Sequence, residues 1–241
     1  MECRKLIIQS NRPLNAAVWE MKLYGENLTS APGQFIELEV PDCCLKRPFS
    51  VADCREDVLT ILYKVVGEGT KKMTALAEGN KVCALTNLGK GFDSSSSVQP
   101  LLVGGGIGAA PLYFLAKEFA KKGIQPVILL AFRCAEEIYY MDEFDEVGNV
   151  LISTDNGSLG FQGNALDALK EYSPNFDIYF ACGPLPMLRA LAGFSDKGQL
   201  SLEARMGCGF GACMGCSIIT VSGPKRVCKE GPVFAAGEVI F

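Results

Sequence analysis

Cys208, Cys213 and Cys216 follow the spacing C-x4-C-x2-C, and Cys228 stands further on, within the segment "RMGCGFGACMGCSIITVSGPKRVCKEG". Four thiolates in this order match the plant-type spacing for a [2Fe–2S] cluster. Glycines at 207, 209, 211 and 215 let the backbone wrap closely, bringing sulfurs and N–H donors around an inorganic core. A four-cysteine zinc site is the main alternative, but it ordinarily uses two C-x2-C knuckles and only one is present. Disulfides do not suit the cytosolic chain that is expected here.

Four further motifs carry chemistry. In "LLVGGGIGAAPL" the residues Gly104, Gly105, Gly106 and Gly108 join a predicted strand to a predicted helix. Such a turn lets the backbone approach a phosphate at a helix N-terminus, although the spacing is not the strict G-x-G-x-x-G. "FACGPLPM" puts Cys182, Gly183 and Pro184 at the end of a later strand, where open α/β sheets bind ligands. "LKRPFSVAD" supplies Arg47, able to fork onto a pyrophosphate, and Ser50, able to hydrogen-bond a heterocycle edge. "LYKVVGEGT" adds an aromatic, a lysine and a turn through Gly69 and Thr70 that could donate N–H groups to phosphate.

Composition limits what these motifs can serve. The chain has no histidine, which removes imidazole metal ligands and histidine general bases. It has eleven cysteines, and the seven outside the C-terminal cluster read as reduced thiols behaving as small hydrophobes. A net charge of -4 without a Lys/Arg tract argues against nucleic acid as a partner. No long apolar run argues for a membrane span, and the N-terminus lacks the apolar core of a signal peptide. The expectation is a cytoplasmic protein with no membrane partner.

The elements that must position the motifs fall into three textures. Residues 1–95 alternate as strands: "VWEMKLYG" with Trp19, Met21 and Leu23 on one face, "QFIELEV" with Glu37 and Glu39 outward, and "VLTILYKVV". With one short helix in "TKKMTALAEG", ended by Gly79, they predict a small antiparallel barrel. "DSSSSVQP" reads as a flexible linker. Residues 96–200 then alternate strands with helices, which predicts parallel βαβ units in a doubly wound sheet. Residues 201–241 form a third, glycine- and cysteine-rich module.

Taken in order, "RPFS", "GEGT", "GGGIGAAP", "ACGPLPM" and "SLEARMGCGFGACMGC…VCKEGPVF" resemble the electron-transfer subunits of B-type dihydroorotate dehydrogenase, within the ferredoxin–NADP reductase superfamily. The resemblance spans essentially the whole chain, and the cysteine segment with "CKEGPVF" is its most specific part. It implies an FAD-binding barrel, a nicotinamide-binding α/β domain and a C-terminal [2Fe–2S] module. By that resemblance Arg47, Pro48, Phe49, Ser50, Leu62, Tyr63, Lys64, Gly69 and Thr70 contact FAD. The glycine turn and Cys182, Gly183 and Pro184 flank NAD, with Cys182 and Ser50 nearest the reacting groups. Cys208, Cys213, Cys216 and Cys228 ligate the cluster. Phe49 stands where the wider superfamily's flavin motif has a tyrosine, so a hydroxyl contact to flavin is not available there.

The implied partner is an FMN-containing catalytic subunit that oxidises dihydroorotate in pyrimidine biosynthesis, in a heterotetramer of two of each, with NAD+ as final acceptor. The alternatives are a subunit of a ferredoxin-dependent transhydrogenase and a non-catalytic, zinc-stabilised nucleotide-binding module. Arg133, after the second strand of the α/β sheet, leaves NAD against NADP open, and the resemblance favours NAD. Glu203 and Arg205 are candidates for an ion pair that fixes the cluster loop.

Overall fold

The computed structural model describes residues 1–241. Strands β1 (Glu2–Pro13), β2 (Val18–Tyr24), β3 (Phe35–Leu38), β4 (Arg47–Arg55), β5 (Val58–Lys64) and β6 (Lys81–Leu88) close an antiparallel barrel in the order β1-β2-β5-β4-β3-β6. Strand β6 shows the cause most clearly: Val82, Ala84, Thr86 and Leu88 are buried and alternate with more exposed neighbours, as a half-buried strand requires. Leu6, Ile8, Met21, Leu23, Ile36 and Leu38 fill the interior. Helix α1 (Glu68–Met73) begins earlier than its sequence pattern suggests, because the "GEGT" turn is its first turn. There the Thr70 hydroxyl accepts the N–H of Val66 at 3.0 Å and of Gly67 at 3.2 Å.

Two barrel acids are covered, one of them, Glu37, on the face expected to point outward. Glu37 faces away from the barrel interior, yet it is only 2% exposed. Glu20 is also 2% exposed, because the Tyr140 hydroxyl donates to it and the Arg12 guanidinium donates to its Oε1 at 2.8 Å. Alternation assigns a side chain to a face, but it cannot show what a later segment packs onto that face.

The second half alternates β7 (Pro100–Gly105), α2 (Ala109–Lys121), β8 (Val127–Phe132), α3 (Met141–Asp145), β9 (Asn149–Thr154), β10 (Phe161–Gln162), α4 (Ala165–Tyr172), β11 (Ile178–Cys182), α5 (Leu185–Phe194) and β12 (Gly198–Ser201). These strands are parallel, and every residue of β7 is buried, as expected where helices cover both faces. After them come a hairpin of β13 (Ser217–Thr220) and β14 (Gly223–Arg226), and then β15 (Val233–Ala235). β15 adds antiparallel to the edge of the sheet, whose order is β10-β9-β8-β7-β11-β12-β15. The order reverses between β7 and β11, where Gly104 pairs with Cys182, so the crevice of this doubly wound sheet opens at the two turns that follow.

The serine-rich segment is not a free linker. Ser97 is buried and its hydroxyl donates to Asp177 at 2.7 Å, while the N–H groups of Val98 and Gln99 donate to the other carboxylate oxygen. Barrel and sheet are also joined directly, by the Lys117–Asp53 ion pair and by Asn15, which donates to the Glu137 carbonyl at 3.1 Å.

Candidate functional site

A cavity of 370 Å³ opens between the barrel and the sheet. Strand β4 lines it with Arg47, Pro48, Phe49 and Ser50, and β5 lines it with Leu62, Tyr63 and Lys64. Thr70 borders it from α1, and Gly108 and Cys182 close it from the sheet. Its third wall is Leu202, Glu203, Ala204 and Met206, the segment that leads from β12 into the cysteine loop. Gly69 does not line the cavity and stands behind Arg47, since a Cβ there would lie 2.8 Å from the guanidinium Nε. Phe49 tilts against Tyr63 with ring centroids 6.0 Å apart. The Tyr63 hydroxyl donates away from the cavity, to Asn11 at 2.9 Å, and burial pushes its pKa up to about 12.

A second cavity of 390 Å³ lies at the C-terminal ends of the parallel strands. Gly105, Gly106, Gly183, Pro184 and Met187 form one end, and Arg133, Glu137, Asp155 and Asn164 form the other. The two cavities share Lys64, Ile107 and Glu203. Gly104 lines neither, because it faces α2, with a built Cβ 2.8 Å from Ala109 Cα. Gly108 is where the two turns cross: a Cβ there would lie 2.5 Å from the Cys182 carbonyl oxygen, so only glycine fits.

Cys182 is 2% exposed, and burial pushes its thiol up to about 12, so it is a neutral, soft side chain at the wall of the first cavity. Glu203 makes no ion pair with Arg205. Its carboxyl instead sits where the cavities meet, in an exposed residue whose flanking protein still desolvates the acid enough to raise its pKa. A carboxylate between two ligand spaces has no sequence signature, so the residues alone do not reveal it.

The four C-terminal cysteines come together as two pairs. Cys216 precedes β13 and Cys228 follows β14, so closing the hairpin brings their sulfurs to 3.2 Å. Ser217 pairs with Arg226, and the Val227 N–H donates to the Cys216 carbonyl at 3.1 Å, which fixes the open end of the hairpin. The long gap before the fourth cysteine is therefore the length of a hairpin. Cys208 and Cys213 form the second pair, with the Cys208 sulfur accepting the N–H of Ala212 at 3.2 Å and of Cys213 at 3.4 Å. Burial opposes ionisation of Cys208, but these donors together with the Phe210 N–H outweigh it and hold the thiol down to about 6. Burial pushes Cys228 up to about 12, with Cys216 alongside adding to the shift.

No three of these residues converge as ligands of a single ion. Two two-thiol corners, one buried at Cys216 and Cys228 and one reaching the surface at Cys213, suit a binuclear centre in which each iron takes two protein thiolates. The donor set is all sulfur, with backbone N–H groups aimed at it, so the residues present fit an iron–sulfur cluster. All eleven cysteines are free of disulfides.

Comparison with known proteins agrees with this geometry. Residues 203–240 match the family described as the iron-sulfur cluster binding domain of dihydroorotate dehydrogenase B. The chain is 39% identical to the dihydroorotate dehydrogenase B (NAD(+)) electron transfer subunit of Fusobacterium nucleatum subsp. nucleatum, with 99% of each chain covered. It is 36% identical to the subunit of the same name from Bacillus mycoides, with both chains covered completely. Among solved structures, an NADH-dependent reduced ferredoxin-NADP oxidoreductase superposes with a TM-score of 0.90 at 27% identity, covering 98% of this chain and 89% of that one. Phthalate dioxygenase reductase shares the fold, with a TM-score of 0.67 at 19% identity over 82% of this chain and 67% of that one. The barrel, the doubly wound sheet and the cysteine module thus have one joint explanation: the chain belongs to the family of dihydroorotate dehydrogenase B electron transfer subunits.

Proposed function

We propose that this chain carries electrons between a dihydroorotate-oxidising catalytic subunit and NAD+, using FAD in the first cavity and a [2Fe–2S] cluster on Cys208, Cys213, Cys216 and Cys228. One observation carries the reading: Leu202, Glu203, Ala204 and Met206 wall the first cavity on the segment that leads to Cys208, while that cavity adjoins the second through Lys64, Ile107 and Glu203. Three sites in contact, in that order, make a path with a two-electron end and a one-electron end. FAD supplies the conversion between them, exchanging hydride with a nicotinamide and single electrons with a cluster.

The chain's own residues do the placing. Arg47 presents a guanidinium to a pyrophosphate, and Ser50 presents a hydroxyl to the edge of the flavin ring. Cys182 and Gly183 form the floor between the cavities, where a thiol kept neutral by burial excludes water without bringing a charge. Glu203 is the one acid that borders both spaces, placed to hold or release a proton as a nicotinamide binds beside the flavin. Cys213 is exposed, flanked by exposed Phe210 and Met214, so the partner approaches the cluster from this side. The partner is an FMN-containing catalytic subunit, in a heterotetramer of two of each, working in the cytoplasm.

A transhydrogenase-type subunit is the second reading, favoured by the TM-score of 0.90 to the ferredoxin-NADP oxidoreductase. The 36–39% identity to the dihydroorotate dehydrogenase subunits over the full chain weighs against it. Co-expression with the FMN-containing subunit tests the assignment. A complex with about two irons and one FAD per copy of this chain, showing NAD+-linked dihydroorotate oxidation, is expected. Zinc in place of iron, with no bound flavin, would overturn it.

A further inference from the structure

We propose that Glu137 sets the pyridine-nucleotide preference, by holding the Arg133 guanidinium in an ion pair that a 2′-phosphate would have to break. The inference rests on the reading of the second cavity as the dinucleotide site.

Arg133 is the first residue after β8, the second strand of the β7–α2–β8 unit. In dinucleotide-binding units of this build, the residue read against the adenosine ribose stands at that place, and an arginine there accommodates the 2′-phosphate of NADP. Arg133 borders the cavity and its side chain is 71% exposed, so from the sequence alone it invites a phosphate. Glu137 removes the invitation. Its Oε1 accepts both the Arg133 Nε–H at 3.0 Å and a second N–H from the same guanidinium, so the guanidinium edge that would fork onto a phosphate is already occupied. The same oxygen accepts Lys64 at 3.3 Å, so one carboxylate engages both cations bordering this end of the cavity.

The acid is well fixed. Its side chain is 19% exposed, and Asn15 of the barrel donates to the carbonyls of Glu137 and Ile138 at 3.1 and 3.3 Å. The Arg133 hydrogen bonds hold its carboxyl below the usual range, so it stays ionised at working pH. Asp155 adds a second negative group to the same end. The cations Arg133 and Lys64 therefore face the anions Glu137 and Asp155, and no positive charge is left over for a phosphate dianion. A free 2′-hydroxyl needs no such charge, because it can donate to a carboxylate.

The test compares 2′,5′-ADP with 5′-ADP, titrated calorimetrically onto the purified flavin- and cluster-loaded chain. It also compares NADPH with NADH as anaerobic reductants of the bound flavin. Glu137→Gln should shift both preferences toward the 2′-phosphorylated nucleotide by about ten-fold. Glu137→Ala should act in the same direction, and adding Arg133→Gln should abolish the gain. An acid that merely stabilises the loop would affect both nucleotides alike. A preference within about two-fold of wild type in both variants, or a gain that survives loss of Arg133, would overturn the proposal. Wild-type protein that binds 5′-ADP and is reduced by NADH upholds the dinucleotide reading whatever the variants do. Wild type that does neither overturns the reading and the proposal together.

Discussion

The carboxyl of Glu37, on barrel strand β3, lies directly beneath Gly209 of the cysteine loop. A Cβ built on Gly209 would come 2.4 Å from Glu37 Cδ, and the backbone there has φ of +71°. Two independent demands, a left-handed conformation and contact with a buried acid, therefore fall on the residue after Cys208. Gly209→Ala should lift the loop off the barrel, costing about 1–3 kcal/mol locally. The expected result is purified protein with normal flavin content but less iron and acid-labile sulfide. Unchanged iron per flavin would show that the loop tolerates the shift.

The same contact leaves Glu37 Oε1 buried with no hydrogen-bond partner. Burial raises its pKa above the ordinary 4.5, with Lys46 partly opposing the shift. An acid whose folded pKa is raised binds its proton more tightly in the folded state. Its stabilising contribution is complete below the unfolded pKa and is lost as pH rises through the folded value. The stability of wild type relative to Glu37→Gln should therefore fall as pH rises through and above the ordinary carboxylate range. Urea unfolding of the two proteins across that range measures the difference, and a pH-independent gap would remove Glu37 as its source.

What the residues disclose and what they hide divide along a physical line. Local signals survive folding: the glycine turn after β7, the alternation of the barrel strands and the C-x4-C-x2-C run are each set by neighbours in the chain. Contacts made across the chain leave no such trace. "QFIELEV" places Glu37 outward but cannot show that the segment around Gly209 covers it. "DSSSSVQP" is polar enough to read as a linker, but the anchor that pins it is the distant Asp177. Glu203 resembles half of an ion pair with Arg205 until two separate cavities are seen to meet at its carboxyl.

Arg226 fastens the hairpin to the cysteine loop. Its Nη1 donates to the Gly211 carbonyl at 2.7 Å, while Nε donates to Glu230 at 3.0 Å. The Arg226 hydrogen bonds pull Glu230 down to about 2, so this clamp is complete above the ordinary carboxylate range and is lost only as pH falls toward that value. Arg226→Lys keeps the charge but cannot fork. Iron release to a chelator at neutral pH should then be about three- to ten-fold faster. Equal release rates would mean that the thiolate ligands alone hold the loop.

On the proposed electron path, Cys213 lies at the cluster end, away from the flavin and nicotinamide cavities. It is the exposed member of the cysteine set, and it borders neither cavity. Cys213→Ser replaces one thiolate at the surface-facing corner and leaves the walls around Arg47, Ser50, Cys182 and Glu203 as they are. Cluster content and NAD+-linked dihydroorotate oxidation by the assembled complex should both drop sharply. NADH should still reduce the bound flavin at a rate within about three-fold of wild type, because on the proposed path that step uses only the two cavities. Stopped-flow absorbance follows the flavin directly, and electron paramagnetic resonance of the reduced protein reports the cluster. If flavin reduction by NADH fell as far as cluster content while FAD stayed bound, the cluster would have to stand between nicotinamide and flavin. The order read from the shared residues Lys64, Ile107 and Glu203 would then be wrong.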